Sequence, residues 1–247
     1  MRYFFDICYL GTNYHGWQIQ ANALGIQEVV ENALSKLLKE KIATVVSGRT
    51  DTGVHCKQQF FHADIITAFD SKSLIIRLNS FLPHDIAIRS IQKVSPEASA
   101  RYDALKRTYK YYITTRKEPL AKDLAYYFYK PLDINRMNEA ASLLLGSQDF
   151  RCFSKVHTKV NHFVCKISKA TWSQKEHQIV FTISANRFLR GMVRAIVGTL
   201  IDVGTKKISI ETFKEIIDSK DRKKAGANSP AHGLYLIEVK YPKRIFL

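Results

Sequence analysis

The run Ile42-Ala43-Thr44-Val45-Val46-Ser47-Gly48-Arg49-Thr50-Asp51-Thr52-Gly53-Val54-His55 leads through Cys56-Lys57 into Gln58-Gln59-Phe60-Phe61-His62-Ala63-Asp64-Ile65-Ile66. Residues 42–47 read as a short strand. Residues 58–66 read as a second, with Phe61, Ala63 and Ile65 on one face. Two strands in succession, with no helix between them, set the frame for everything around them. Upstream, residues 2–10 are aromatic and β-favouring and stop at Gly11. Between that strand and residue 42, Ile26, Val29, Val30, Ala33, Leu34, Leu37 and Leu38 recur at helical spacing. Downstream, residues 71–82 read as a helix that ends before Pro83, and residues 85–94 as a strand. The order is β-α-β-β-α-β.

The second half repeats that order without repeating the sequence. Residues 106–115 form a strongly aromatic strand, and residues 124–130 add a further one. Asp133 caps a helix that runs to Leu145 and stops at Gly146. Residues 164–173 and 178–185 pair as a hairpin. Helices follow over 188–203 and 208–218, and residues 234–241 close the chain as a strand. The expected fold class is α+β. Two ferredoxin-like halves, 1–103 and 104–247, join into one continuous, mainly antiparallel sheet with a basic cleft.

Composition narrows the function classes. The 247 residues carry 38 Lys and Arg against 22 Asp and Glu, a formal net charge of +16. Such a surplus points first to nucleic acid and second to an anionic membrane surface. No stretch is long and apolar enough for a span; residues 189–203 carry Arg190, Arg194 and Asp202. The N-terminus lacks a signal-peptide pattern. Cys8, Cys56, Cys152 and Cys165 show no metal-type spacing. They read as reduced thiols in a cytoplasmic protein without a bound metal.

Three features can carry chemistry. Asp51 follows a strand, between Gly48 and Gly53, with Arg49 two residues away. A cation near a carboxylate favours its ionised form, and an ionised carboxylate can act as nucleophile or base. An ordinary Asp-Gly turn would look the same. Alternation along residues 107–111 puts Arg107, Tyr109 and Tyr111 on one face, suited to stacking an extruded base or to filling a half-buried strand. The third feature is the helix with Arg187, Arg190 and Arg194, whose spacing of three and four puts them on one stripe, with Arg194 at the edge of an apolar surface. Two basic loops, 151–163 (Arg151, Lys155, His157, Lys159, His162) and 219–231 (Lys220, Arg222, Lys223, Lys224), suit phosphate contacts or a solvated surface. His15, His55, His62 and His232 stand singly, as RNA contacts or structural residues.

Together these segments resemble the tRNA pseudouridine synthase A family over nearly the whole chain. The resemblance runs through Tyr9-Leu10-Gly11-Thr12-Asn13-Tyr14-His15-Gly16-Trp17-Gln18, then Gly48 to His55, then Leu82-Pro83-His84-Asp85-Ile86. It continues through Lys106-Arg107-Thr108-Tyr109-Lys110-Tyr111-Tyr112-Ile113 and Gly191-Met192-Val193-Arg194-Ala195-Ile196-Val197-Gly198. It ends on Ser229-Pro230-Ala231-His232-Gly233-Leu234-Tyr235-Leu236. Thr52 stands where the family commonly has Ala, and Ala98-Ser99-Ala100-Arg101 departs from the family's Phe-His-Ala-Arg stretch.

The resemblance implies an isomerase that turns uridine into pseudouridine in tRNA, in the anticodon stem-loop, by flipping the base. It implies Asp51 as the catalytic carboxylate, Tyr109 stacked on the target uracil, and Arg194 paired with the carboxylate. Arg49 helps extrude the base, Leu234 lines the pocket, and Arg107 joins the substrate contacts. It further implies a homodimer with tRNA lying across both subunits, and no cofactor. Two other readings compete: the same chemistry on ribosomal RNA, and an RNA-binding protein without catalysis.

Overall fold

The computed structural model describes residues 1–155 and 160–247. The chain divides into two compact units: Met1–Arg107 with Tyr235–Leu247, and Thr108–Leu234. Along the chain the strands are β1 (Arg2–Tyr9), β2 (Val45–Val46), β3 (His55–Asp64), β4 (Ile86–Lys93), β5 (Lys106–Thr114), β6 (Tyr126–Tyr127), β7 (Gly146–Asp149), β8 (Val164–Lys175), β9 (Gln178–Ala185) and β10 (Leu234–Lys240). The helices are α1 (Ile26–Leu38), α2 (Ser71–Phe81), α3 (Ile134–Ser142), α4 (Met192–Gly204) and α5 (Ile210–Ser219). The strands hydrogen-bond in the order β4-β1-β3-β10-β5-β9-β8-β7, with β2 beside β3 and β6 beside β5. The architecture is α+β with one mainly antiparallel sheet; the described pairs β10–β3 and β5–β6 run parallel.

In the first unit β1 lies between β3 and β4, antiparallel to both. Phe5 faces Phe61 across the β1–β3 ladder, and their rings stack at 4.8 Å. Trp17 closes over Phe61 at 5.8 Å. Phe60, Phe61, His62 and Ala63 are all buried, so β3 is covered on both faces instead of alternating. The second cover comes from the chain's end: Tyr241 meets Phe4 and Phe60 edge-on at 5.1 and 5.3 Å, and Phe246 meets Phe4 at 6.0 Å. Neighbours distant in sequence, not local pattern, set that burial.

Two strand bounds differ from expectation. β2 shrinks to Val45–Val46 because α1 takes over the backbone before it. Ser35 Oγ accepts from Ile42 N at 2.9 Å, Glu31 Oε1 accepts from Thr44 N at 2.7 Å, and Gln27 Nε2 donates to Thr44 O at 3.2 Å. A backbone satisfied by side chains needs no ladder. β3 starts earlier, at His55, because Tyr235 and Leu236 of β10 pair with His55 and Cys56.

In the second unit β9 and β8 form the expected hairpin, and β7, read from sequence as the stop after a helix, adds a short antiparallel strand along β8. α3 packs on β8 and α4, and α5 packs on α3 and α4. Asp133 and Ser209 cap α3 and α5 by accepting from Arg136 N and Thr212 N, both at 3.1 Å. α4 does not begin at residue 188. Gly191 has φ +72°, outside the helical region, and the helix starts at Met192. Arg187 and Arg190 therefore lie ahead of the helix, and the three-arginine stripe does not exist. The described residues contain no helix long and apolar enough to cross a membrane.

Candidate active site

Residues 47–54 connect β2 to β3. The loop is tied at several backbone positions. Ser47 N donates to Phe60 O at 2.8 Å as the ladder ends. Thr50 O accepts from Trp17 N at 3.2 Å, and Asp51 O accepts from Val54 N at 3.1 Å. Gly53 N donates to Tyr14 O at 3.3 Å, and His55 Nδ1 accepts from Gly11 N at 3.0 Å. Thr50 points into the core at 7% exposure, while Arg49 is exposed and Asp51 half-buried. The loop thus turns its middle residue inward and leaves a cation and a carboxylate on either side of it.

Residues 11–17 cradle this loop and are themselves held. Tyr14 donates its hydroxyl to Asp85 Oδ1 at 2.5 Å, Asn13 Nδ2 donates to Asp85 Oδ2 at 3.2 Å, and Leu10 N donates to Asp85 O at 2.9 Å. Burial, with the Asp85 carboxylate beside it, pushes the Tyr14 phenol well above its ordinary pKa, so it stays a donor. Arg107 supports the loop from β5. Its guanidinium donates to Ser47 O and Arg101 O, each at 2.8 Å, and to Ala104 O at 3.2 Å. Five N–H groups in a rigid fork suit such multiple carbonyl contacts.

The other expected residues belong to the second unit. Tyr109 is buried in β5 and meets Phe188 edge-on at 5.1 Å. Tyr111, next on that face, is fully buried and donates to Pro230 O at 2.8 Å. Arg194 sits in the first turn of α4, half-buried. Its Nε donates to Ser229 O at 2.8 Å, while Ser229 N and Oγ donate back to Arg194 O at 3.0 and 3.2 Å. The orientation of the guanidinium is therefore set by the loop that precedes β10. Leu234 opens β10, 5% exposed. Asp51, Arg49 and Arg107 are thus placed by one unit, and Tyr109, Arg194 and Leu234 by the other.

The described residues of the two basic loops make more internal contacts than their composition indicates. Arg222 donates to Ala225 O, Gly226 O and Asn228 Oδ1 at 3.2, 3.1 and 2.9 Å, closing its own loop. Gly226 N donates to Thr199 Oγ1 on α4 at 2.9 Å. In the other loop Arg151 pairs with Asp149 at 3.6 Å and lies over the Phe163 ring at 4.6 Å, and Arg187 meets His162 at 3.1 Å. His157 and Lys159 lie outside the described residues. Lys220, Lys223 and Lys224 are left on the surface.

The histidines divide. His55 and His62 are buried structural groups, the latter accepting from Ala100 N at 3.0 Å; His15 is exposed. His232 is half-buried against Tyr126, and burial lowers its pKa. All four cysteines are free thiols, and burial pushes Cys165 up to about 11 and Cys152 to about 12. Such thiols are poor nucleophiles. Among the described residues no group of three or more His, Cys, Asp or Glu side chains is placed to hold a metal ion.

Asp51 is therefore a half-buried carboxylate on a tied loop of the first unit, while the aromatic strand residue Tyr109 and the arginine-bearing helix belong to the second, in a strongly basic chain. Comparison with known proteins gives this arrangement a class. A family model described as tRNA pseudouridine synthase matches residues 7–103 and 140–242, and the chain belongs to that family. Among individual relatives, the tRNA pseudouridine synthase A of Bacteroides thetaiotaomicron is 47% identical over 248 residues, covering 99% of this chain and 92% of that protein. The protein of the same name from Porphyromonas gingivalis is 48% identical over 250 residues, covering 100% and 99%. That of Borrelia duttonii is 41% identical over 238 residues, covering 96% and 97%.

Proposed function

We propose that this chain isomerises uridine to pseudouridine in tRNA, in the anticodon stem-loop, acting as a cytoplasmic homodimer. The observation that carries the reading is Asp51, presented half-buried on a loop whose backbone is tied on both sides of it, in a member of the tRNA pseudouridine synthase family.

A stacked base is out of reach, so the nucleotide is flipped out of the stem before reaction. Arg49, exposed beside Asp51, assists extrusion or takes the place the base vacates. Tyr109 stacks on the uracil and Leu234 closes the apolar side of the pocket. Arg194, its guanidinium oriented by Ser229 O, is the cation assigned as partner to the Asp51 carboxylate. Arg107 contributes by shaping the loop through its grip on Ser47 O.

The N1–C1′ bond breaks as Asp51 either attacks the sugar or removes a sugar proton. The uracil rotates while bound, and C5 bonds to C1′ as the Asp51–sugar bond breaks or the sugar proton returns; the C5 proton then leaves and N1 ends protonated. No atom is gained or lost and no electron changes hands overall, so the chemistry calls for no cofactor.

The test is tRNA incubated with the protein and mapped for pseudouridine, beside an Asp51→Ala variant checked for folding. The wild type converts anticodon-stem uridines. Asp51→Ala binds the same tRNA and forms no product. Undiminished conversion by Asp51→Ala removes Asp51 from the chemistry. RNA binding without conversion by the wild type leaves the non-catalytic reading, and modification confined to ribosomal RNA moves the substrate.

A further inference from the structure

Beneath Asp51 runs a chain of four buried polar side chains that the chemistry above does not use. Ser47 Oγ donates to Gln59 Oε1 at 3.3 Å, and Gln59 Nε2 donates to the Tyr9 hydroxyl at 2.8 Å. The Tyr9 hydroxyl shares a hydrogen bond with Thr50 Oγ1 at 2.8 Å. Exposures are 1% for Ser47, 0% for Gln59, 4% for Tyr9 and 7% for Thr50. The surroundings are aromatic: Trp17 lies 6.2 Å from the Tyr9 ring and 5.8 Å from that of Phe61. A core position of this kind is ordinarily filled by apolar side chains, because each buried polar group requires a partner.

The chain ends at the residue immediately before Asp51. Thr50 is held by its side chain through Tyr9 and by its carbonyl through Trp17 N at 3.2 Å. Its hydroxyl therefore sets the torsions that aim the next side chain, while the Val54 N contact to Asp51 O holds the far side. A hydrogen-bonded chain has direction and length, which an apolar contact does not. It registers the loop against β1 and β3 more sharply than packing alone could.

We infer that Tyr9 and Gln59, acting through Thr50, are positioning residues for the Asp51 carboxylate. The inference rests on Asp51 being the reacting group. Neither touches substrate; they hold the loop in one arrangement, and the carboxylate inherits that arrangement. A displacement near 1 Å at a reacting group costs on the order of a hundredfold in rate, so small slack in this chain is visible in turnover.

The experiment compares Tyr9→Phe, Thr50→Val and Thr50→Ser with Asp51→Ala, measuring single-turnover pseudouridine formation and tRNA affinity on the folded fraction of each. Tyr9→Phe and Thr50→Val, which remove one hydroxyl with little change of shape, are expected to slow the chemical step by about tenfold to a hundredfold, with tRNA affinity held. Thr50→Ser, which restores the hydroxyl, recovers most of the rate. Wild-type rates in folded Tyr9→Phe and Thr50→Val overturn the inference. So does a loss that appears in affinity alone, or Thr50→Ser as slow as Thr50→Val. If Thr50→Val does not fold, Tyr9→Phe decides by the same criterion; failure of both to fold makes the chain a stability element and overturns its positioning role. Full activity in Asp51→Ala overturns the underlying reading of Asp51 instead, which separates the two failures.

Discussion

At the scale of single residues, burial decides what a side chain can do. His62 is 7% exposed and stacks on Phe4 at 6.0 Å with its Nδ1 occupied by Ala100 N. Burial chiefly, helped by the nearby Arg2 charge and opposed by Asp64, pushes its pKa down to about 4 from an ordinary 6.5. The unfolded chain therefore binds the proton first. Stability from this group is fully present above pH 6.5 and drains away as pH falls from there toward about 4. Urea titrations at pH 7 and pH 4.5 should show that loss, and a His62→Gln variant should show a smaller difference between the two. An equal difference in the variant would assign the acid sensitivity elsewhere. Asp51 and Arg49 were legible as residues in the sequence, because glycines on both sides announce a turn. The inward role of Thr50 was not: nothing local distinguishes it from its neighbours, and Tyr9 and Gln59 reach it only through the β1–β3 pairing. The one available signal was that Gln59 shares its alternation with Phe61, Ala63 and Ile65, the apolar face of the strand.

At the scale of elements, the junction between α4 and the loop before β10 carries the most consequence. A Cβ on Gly198 would sit 1.8 Å from Ala227 O, a backbone atom that cannot swing aside. The loop lies that close because Ser229 and Gly226 are hydrogen-bonded to Arg194 and Thr199 on the same helix. Gly198→Ala should lower unfolding stability by about 1–3 kcal/mol through overpacking, read from denaturant midpoints. It should also slow pseudouridine formation, because the loop that orients Arg194 is displaced. Wild-type stability would mean that the loop moves away without cost. Helix periodicity located α4 but misplaced its start. Leu189 and the residues after it are apolar enough to extend the pattern, and Gly191 at φ +72° breaks it. That break moves Arg187 and Arg190 off the helix and leaves Arg194 in its first turn, so a charge stripe became three arginines with separate environments.

At the scale of the whole molecule, charge governs encounter. A chain of +16 meeting a polyanion releases counterions, about 0.7–0.9 per phosphate neutralised. The affinity of the protein for tRNA should therefore fall with a log–log salt slope of about −3 or steeper, the value for roughly four phosphates or more. A fluorescence-anisotropy titration from low to moderate salt would read it, and a flat dependence would contradict an electrostatic interface. Not all of the positive charge is available for this. Arg107 and Arg222 are committed to backbone carbonyls, and Arg2 is bound in a two-point ion pair with Asp64 at 2.9 and 2.8 Å. Such arginines hold the fold together, so the slope counts the surface lysines and the arginines left with them more than the formal charge.

Element order was readable from sequence because the two periods, 2 and 3.6, are properties of the local chain. That order alone implied an α+β molecule built twice on one plan, and the segment around Asp51, with its family resemblance, implied the chemistry. The tertiary structure decided what no local pattern contains. It covered the second face of β3 with the chain's own C-terminal end, replaced half of β2 with side-chain hydrogen bonds from α1, and anchored Arg194 on Ser229, 35 residues away. It also buried a polar chain under Asp51. The physical reason is common to all four: each depends on which distant groups satisfy a buried surface or an unpaired hydrogen bond, and that is settled only when the strands pair.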